Sequence, residues 1–272
     1  MANDYLTDET PLGPARRPRL SAVKRWLAST AHYAADLALP PVCIACRSPL
    51  DAHGALCPPC WSGIEFVRPP LCDRLGVPLP FSDGAITISS QALADPPVFA
   101  RARAATIYTG VMRRLVHALK YEDRHEATRF LARLMADAGR ELLRDADALI
   151  PIPLSRTRLR TRRFNQSAEL ARRLSRISGV TFEPLALTRT RDTASQVGLT
   201  LDRRRANVAG AFAVPPRWRS RVEGRSIVLV EDVSTAGSTA NAGAAALLTA
   251  GASRVDVLAL ALVSGSPNFY DR

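Results

Sequence analysis

Lysine is almost missing from this chain: among its 37 basic residues only Lys24 and Lys120 are lysines. The net charge of +12 is therefore an arginine charge. With so much alanine beside it, the bias can reflect a GC-rich coding sequence, so net charge alone assigns no nucleic-acid partner. Aromatic residues are scarce at 6%, which leaves few platforms for stacking bases and favours backbone-dominated contact wherever nucleic acid is bound. No apolar run is long enough to span a bilayer. Arg16, Arg17, Arg19, Lys24 and Arg25 resemble the basic start of a signal peptide, but His32 and Asp36 interrupt the stretch downstream of them, and a cytoplasmic location is expected. Neither G-x-G-x-x-G nor Gly-Lys-Ser/Thr occurs, which excludes the dinucleotide fingerprint and the P-loop.

What is present divides the 272 residues into parts. Residues 1–20, rich in Pro and Arg, read as a disordered tail. Val23, Trp26, Leu27, Tyr33 and Leu37 recur at helical spacing, so an amphipathic helix is expected over 21–39. Residues 40–80 carry Cys43-x-x-Cys46 and Cys57-x-x-Cys60, two knuckles ten residues apart. Four thiolates at this spacing can surround Zn²⁺ tetrahedrally in a closed, structural site. The alternative, a pair of disulfides, does not suit a reducing compartment. His53 reads as an exposed loop residue. Cys72 is left over, and Leu75 stands where a further Cys-x-x-Cys would finish, so no second metal is expected.

Beyond Pro80 the pattern alternates. Strands are expected over 102–108, 148–152, 185–190, 211–214, 227–230 and 255–263. Helices are expected over 111–119, 127–143, 164–178 and from about 238 to 250. Such alternation implies a mainly parallel, doubly wound α/β sheet with flanking helices, here over about 100–265. A cluster of Arg156, Arg158, Arg160, Arg162, Arg163, Arg172, Arg173 and Arg176 faces only Glu169. Two readings stand for it: a surface for phosphate-rich ligands or a nucleic-acid backbone, and a solvated helix face.

The most informative segment is 227–239, Ile-Val-Leu-Val-Glu-Asp-Val-Ser-Thr-Ala-Gly-Ser-Thr. Four apolar residues form a buried strand, the carboxylates Glu231 and Asp232 stand at its end, and Thr235, Ala236, Gly237, Ser238 and Thr239 open an alanine-rich helix. Ligands of open α/β sheets bind at the carboxyl ends of strands, and free N–H groups at a helix start attract anions. Small residues let a phosphate approach the backbone, and paired acids can accept hydrogen bonds from vicinal hydroxyls. A phosphorylated sugar fits both. The segment resembles the phosphoribosyl pyrophosphate (PRPP) motif of type I phosphoribosyltransferases.

Three further constellations accompany it. Lys120, in Leu-Lys-Tyr, reads either as a pyrophosphate contact or as a helix-end lysine. Ile150-Pro-Ile-Pro-Leu154, with Arg160, Arg163, Phe164, Asn165 and Gln166 downstream, reads as a ligand loop at the sheet's carboxyl edge or as a rigid connection. The polar stretch 189–207, with Thr193, Gln196, Arg204 and Asn207, reads as a lid or as a surface hairpin.

Together, the Cys-x-x-Cys pair, LKY, PIPL with RRFNQSAELA, TASQ with RRRANVAGAF, and VLVEDVSTAGST resemble the ComF (GntX-like) family over about 40–263. The resemblance implies a four-cysteine zinc module joined to a type I phosphoribosyltransferase-like fold. It also implies a link to DNA uptake, to single-stranded DNA and DNA-processing partners, and to nucleoside metabolism. In an enzyme of this kind Glu231 and Asp232 would be catalytic. Residues 235–239, Lys120 and Arg163 would bind PRPP with Mg²⁺, and Thr193, Gln196 and Arg204 would close over it. The alternative is a PRPP- or nucleotide-sensing protein without turnover. The chain departs from the family pattern at Leu75, at Ser155, where a more basic or imidazole side chain is common, and at Arg163, where glycine is often seen.

Overall fold

The computed structural model describes residues 40–263 apart from 83, 85, 123–125, 163, 194–197, 199 and 236. The tail expected over 1–20 and the helix expected over 21–39 lie outside the described residues. Two short helices, α1 (Pro58–Ser62) and α2 (Ser90–Ala94), precede β1 (Ala102–Ile107), α3 (Gly110–Tyr121), α4 (Glu126–Ala138) and α5 (Arg140–Arg144). Then come β2 (Ala148–Pro151), α6 (Arg156–Arg162), α7 (Gln166–Ser178), β3 (Thr181–Phe182) and β4 (Thr188–Arg189). The chain continues through α8 (Leu201–Val208), β5 (Phe212–Ala213), a 3-10 turn (Pro216–Arg221), β6 (Ser226–Ser234), α9 (Ser238–Thr249) and β7 (Arg254–Leu262).

Five strands form one sheet in the order β1-β7-β6-β2-β3, and every pairing in it is parallel. β6 and β7 are its middle, and their unbroken apolar runs are what a strand covered on both faces requires. On one face Leu115, Leu131, Leu170 and Leu174 of α3, α4 and α7 pack over Val228, Val230 and Leu258. On the other, Ala240, Ala244 and Leu247 of α9 cover Ile150, Leu229 and Val257. β4 and β5 pair separately as an antiparallel hairpin.

The cysteine-bearing region shares the first of these cores, since Cys43, Ile44, Cys57, Cys60 and Ile64 belong to the same cluster as Leu115 and Leu131. Its exit segment pairs antiparallel with β1 through Phe66 and Thr106, with Ile107 N donating to Glu65 O at 2.8 Å and Val67 N to Ala105 O at 3.1 Å. An edge strand that would otherwise present bare hydrogen-bonding groups is thereby closed.

Four differences from the sequence expectations have local causes. The helix expected over 127–143 breaks at Gly139, where a Cβ would stand 2.6 Å from the Leu258 side chain. Residues 156–162, almost all Arg and Thr, form a helix with no buried residue, so no apolar periodicity announced it. The stretch 189–207 contains α8, capped by the Thr200 hydroxyl, which accepts from Arg203 N. Finally, β6 does not end at Val230 but runs through Ser234, which makes the acidic pair part of the strand.

Candidate active site

Because β6 continues, Glu231 and Asp232 project to opposite sides of a strand. Glu231 is buried at 8% exposure and its Oε2 has no hydrogen-bond partner. Burial first, then the charge of Asp232, pushes its carboxyl up to about 8, against smaller opposing effects from Lys120 and the Ser234 hydroxyl. Asp232 is more open and pairs with Lys120, Nζ to Oδ2 at 2.8 Å. One acid is thus held neutral at physiological pH while its neighbour sits against a cation.

The raised carboxyl has a stability consequence. The unfolded chain releases this proton near the ordinary 4.5, whereas the folded chain holds it to about 8. Stability from this group is therefore complete below the unfolded value and is lost as pH rises through the folded one. Each tenfold difference in proton affinity between the two states is worth about 1.36 kcal/mol, so the cost above pH 8 is on the order of a few kcal/mol. Glu231→Gln is expected to raise Tm at pH 8 by several degrees and to flatten its fall between pH 5 and 8. A variant no more stable than the native protein at pH 8 would contradict a buried, strained carboxyl.

The loop after β6 turns into α9 through Gly237, the N-cap, whose φ of +72° lies in the left-handed region where a side chain would be strained. A Cβ there would meet the Phe99 ring at 3.8 Å, an ordinary contact, so it is the backbone conformation that calls for glycine. Val98 N donates to Asn241 Oδ1 at 2.8 Å, fixing the segment that carries Phe99 against the first turn of α9. Ser238 is buried, and its Oγ is without a partner. Thr235 and Thr239 are half-buried, and Ala236 lies outside the described residues.

The other sequence constellations converge on this sheet edge. Lys120 ends α3, and next to it Tyr121 accepts from Arg162 of α6 at 3.3 Å, with that guanidinium 5.4 Å from the ring centroid. Asn165 caps α7 by accepting from Ser167 N and Ala168 N, and its amide donates to Ile152 O at 2.9 Å, tying the helix to the exit of β2. Gln166 follows, buried at 1% with both amide atoms unpartnered. The sequence placed it in a motif without giving it a role. Its signal was there, since Gln166 falls at helical spacing on the same buried face as Leu170 and Leu174, where an amide needs a partner. Arg163 lies outside the described residues.

The β4–β5 hairpin stands beside the β2 loop. Thr157 Oγ1 donates to Asp192 Oδ2 at 2.6 Å, and Arg189 donates to Thr193 while its guanidinium lies over Phe212. Burial, and then the charge of Arg158, draws the Arg189 guanidinium below its usual value. A cavity of about 470 Å³ opens between the two elements, lined by Arg156, Thr188, Arg189, Thr190 and Asp192. Arg204 lies on α8, whose N-terminal Thr200 carbonyl accepts its backbone N–H, and α8 packs on α9. Gln196 lies outside the described residues. In the arginine cluster, Glu169 binds both Arg172 at 2.6 Å and Arg173 at 3.1 Å.

At the other end of the chain the sulfurs of Cys43, Cys46, Cys57 and Cys60 lie within 4.8 Å of one another, with Cys46 and Cys57 3.5 Å apart. Four thiols so gathered, and no disulfide among the described residues, fit a tetrahedral zinc site. Among the described residues no helix is long and apolar enough to cross a membrane.

Residues 34–91 match the double zinc ribbon domain family. The chain is 35% identical over 230 residues to the DNA utilization protein YhgH of Escherichia coli O157:H7, covering 82% of this chain and 98% of that protein. The chain belongs to the ComF family. A second relative, competence protein F of Haemophilus influenzae, is 29% identical over 80% of this chain and 96% of its own. Among solved structures, the glutamine PRPP amidotransferase of Bacillus subtilis is similar at 21% identity and a TM-score of 0.32, over 49% of this chain. The chain spans about a quarter (26%) of that protein. This ComF chain joins a parallel five-stranded sheet with flanking helices to a four-cysteine zinc module.

Proposed function

We propose that the carboxyl end of β6 binds PRPP with Mg²⁺ and that the protein performs phosphoribosyl chemistry linked to DNA uptake in the cytoplasm. The observation that carries this reading is the pair of unpartnered buried oxygens, Glu231 Oε2 and Ser238 Oγ, on either side of the Gly237 turn. A protein seldom leaves such atoms unsatisfied unless something else supplies the partner. A ribose phosphate supplies both, with hydroxyls for the carboxyl and phosphate oxygens for the serine and the start of α9.

In this reading Thr235, Ala236, Gly237, Ser238 and Thr239 hold the 5′-phosphate. Glu231 and Asp232 orient the ribose hydroxyls, and Asp232 stabilises positive charge developing at the anomeric carbon. Lys120 leaves Asp232 as the pyrophosphate arrives, and with Arg163 neutralises it. Mg²⁺ bound with the ligand near the Asp232 carboxylate would supply positive charge against the pyrophosphate. Thr193, Gln196 and Arg204 belong to the hairpin that closes over the ligand and excludes water. Calorimetric titration of the zinc-loaded protein with PRPP and Mg²⁺ is expected to give one saturable site, and a screen of nucleobases then reads pyrophosphate release. Folded protein that takes up no PRPP would end this reading.

A second reading is favoured by the arginine-lined cavity and by the relatives' names. There the protein senses PRPP or a nucleotide without turnover and holds single-stranded DNA, or a DNA-processing partner, through Arg156, Arg158 and Arg189. Contact of this kind loses affinity steeply with salt. A labelled single-stranded oligonucleotide bound with little salt dependence would count against it.

A further inference from the structure

We infer that residues 71–94 are a second zinc ribbon that has given up its metal, with positions 72, 75, 89 and 92 standing where Cys43, Cys46, Cys57 and Cys60 stand in the first. The correspondence is geometric. Val42 bridges Pro49, and Leu71 bridges Pro78. Cys43 N donates to Ser48 O at 2.8 Å, and Cys72 N to Val77 O at 2.8 Å. Arg47 N returns to Cys43 O, and Gly76 N returns to Cys72 O. Both turning residues are left-handed, Arg47 at φ 70° and Gly76 at φ 64°.

The second half of each ribbon matches as well. Cys57 N donates to Cys43 Sγ at 3.4 Å, and Ser89 N to Cys72 Sγ at 3.3 Å. Cys57 is the N-cap of α1 and Ser89 the N-cap of α2. Within these helices Cys60 and Ala92 are the buried residues.

The ligand chemistry has been lost. One thiol, a leucine, a serine hydroxyl and an alanine methyl do not make a zinc site. In place of coordination, the Cys72 sulfur accepts from Leu75 N at 3.5 Å, Ser89 N at 3.3 Å and the Ser89 hydroxyl at 3.3 Å. A hydrogen-bonded sulfur thus pins the two halves of the ribbon, and Leu75 and Ala92 fill the space of two thiolates. The break at Leu75 is legible in the sequence, but positions 89 and 92 are not, because the second half is offset by three residues relative to the first.

The test is a zinc count on the full chain purified under reducing conditions. The native protein and Cys72→Ser are each expected to hold one zinc per chain. The triple variant Leu75→Cys, Ser89→Cys, Ala92→Cys is expected to hold two, with the thiolate-to-metal absorption of the cobalt-loaded form doubled. Two zincs in the native protein, loss of zinc in Cys72→Ser, or a folded triple variant with one zinc would each overturn the inference. Should the triple variant not fold, Ser89→Cys alone, mildly oxidised with zinc bound, is expected to lose two thiols to a 72–89 disulfide. Failure to form that bond would overturn the inference equally.

Discussion

Removing zinc, or replacing Cys60 by serine, is expected to lower Tm by roughly 10 °C or more, a loss of about 3–5 kcal/mol at about 2–4 °C per kcal/mol for a chain of this size. The first ribbon has little else to hold it. Its buried residues are mostly the cysteines themselves with Ile44 and Ile64, and α1 is only 5 residues long. Without metal the thiols also oppose one another. Burial, and then the three neighbouring thiols, push Cys60 up to about 12, whereas a bound cation deprotonates its ligands outright. The damage spreads because this cluster is continuous with the core under α3 and α4, and Trp61 packs edge-on against Phe130 of α4. A thermal melt with and without chelator, with zinc counted in parallel, reads the effect. An unchanged Tm in metal-free protein would mean that the ribbon stands by side-chain packing alone.

Asp232→Asn is expected to weaken PRPP binding by about 10- to 100-fold, the size of one or two charge-assisted hydrogen bonds, and to leave the fold intact. The carboxylate is partly open and bonded to Lys120 alone among the contacts described, so its loss removes neither core packing nor a backbone tie. The same substitution frees Lys120, whose attraction for pyrophosphate opposes part of the loss. The double variant with Lys120→Met is therefore expected to bind more weakly than Asp232→Asn alone. Calorimetry on the folded variants checks both. Affinity equal to that of the native protein in Asp232→Asn would remove the acid from the site.

Much of this fold is legible in the sequence, and the reason differs from element to element. The central strands can be read because a strand covered on both faces must be apolar throughout, as 227–230 and 255–262 largely are. The cysteine knuckles can be read because metal ligation fixes both residue type and spacing. The end of β6 cannot: Glu231 and Asp232 are poor strand formers, and only pairing with β7 through Ser234 keeps them extended. Helix α6 buries nothing and therefore leaves no periodic trace. Glu231 and Asp232 stand out as a pair, but their division of labour depends on what covers each. No spacing rule reports that one carboxyl is sealed in and the other lies beside Lys120.

The two ribbons brace different halves of the candidate site. The first meets the start of α3, where the Thr109 hydroxyl donates to Glu65 at 2.7 Å and Gly63 leaves no room for a Cβ beside Val111; the far end of that helix carries Lys120. The second meets the start of α9, where Arg74 donates to the carbonyls of Pro97 and Phe99 at 2.7 and 2.9 Å, and Val98 reaches Asn241. One brace is metallic and the other is built from hydrogen bonds and apolar filling. If the proposed site holds PRPP, zinc shortage is expected to displace Lys120 and spare the turn at Gly237, so that pyrophosphate contact weakens before contact with the 5′-phosphate does.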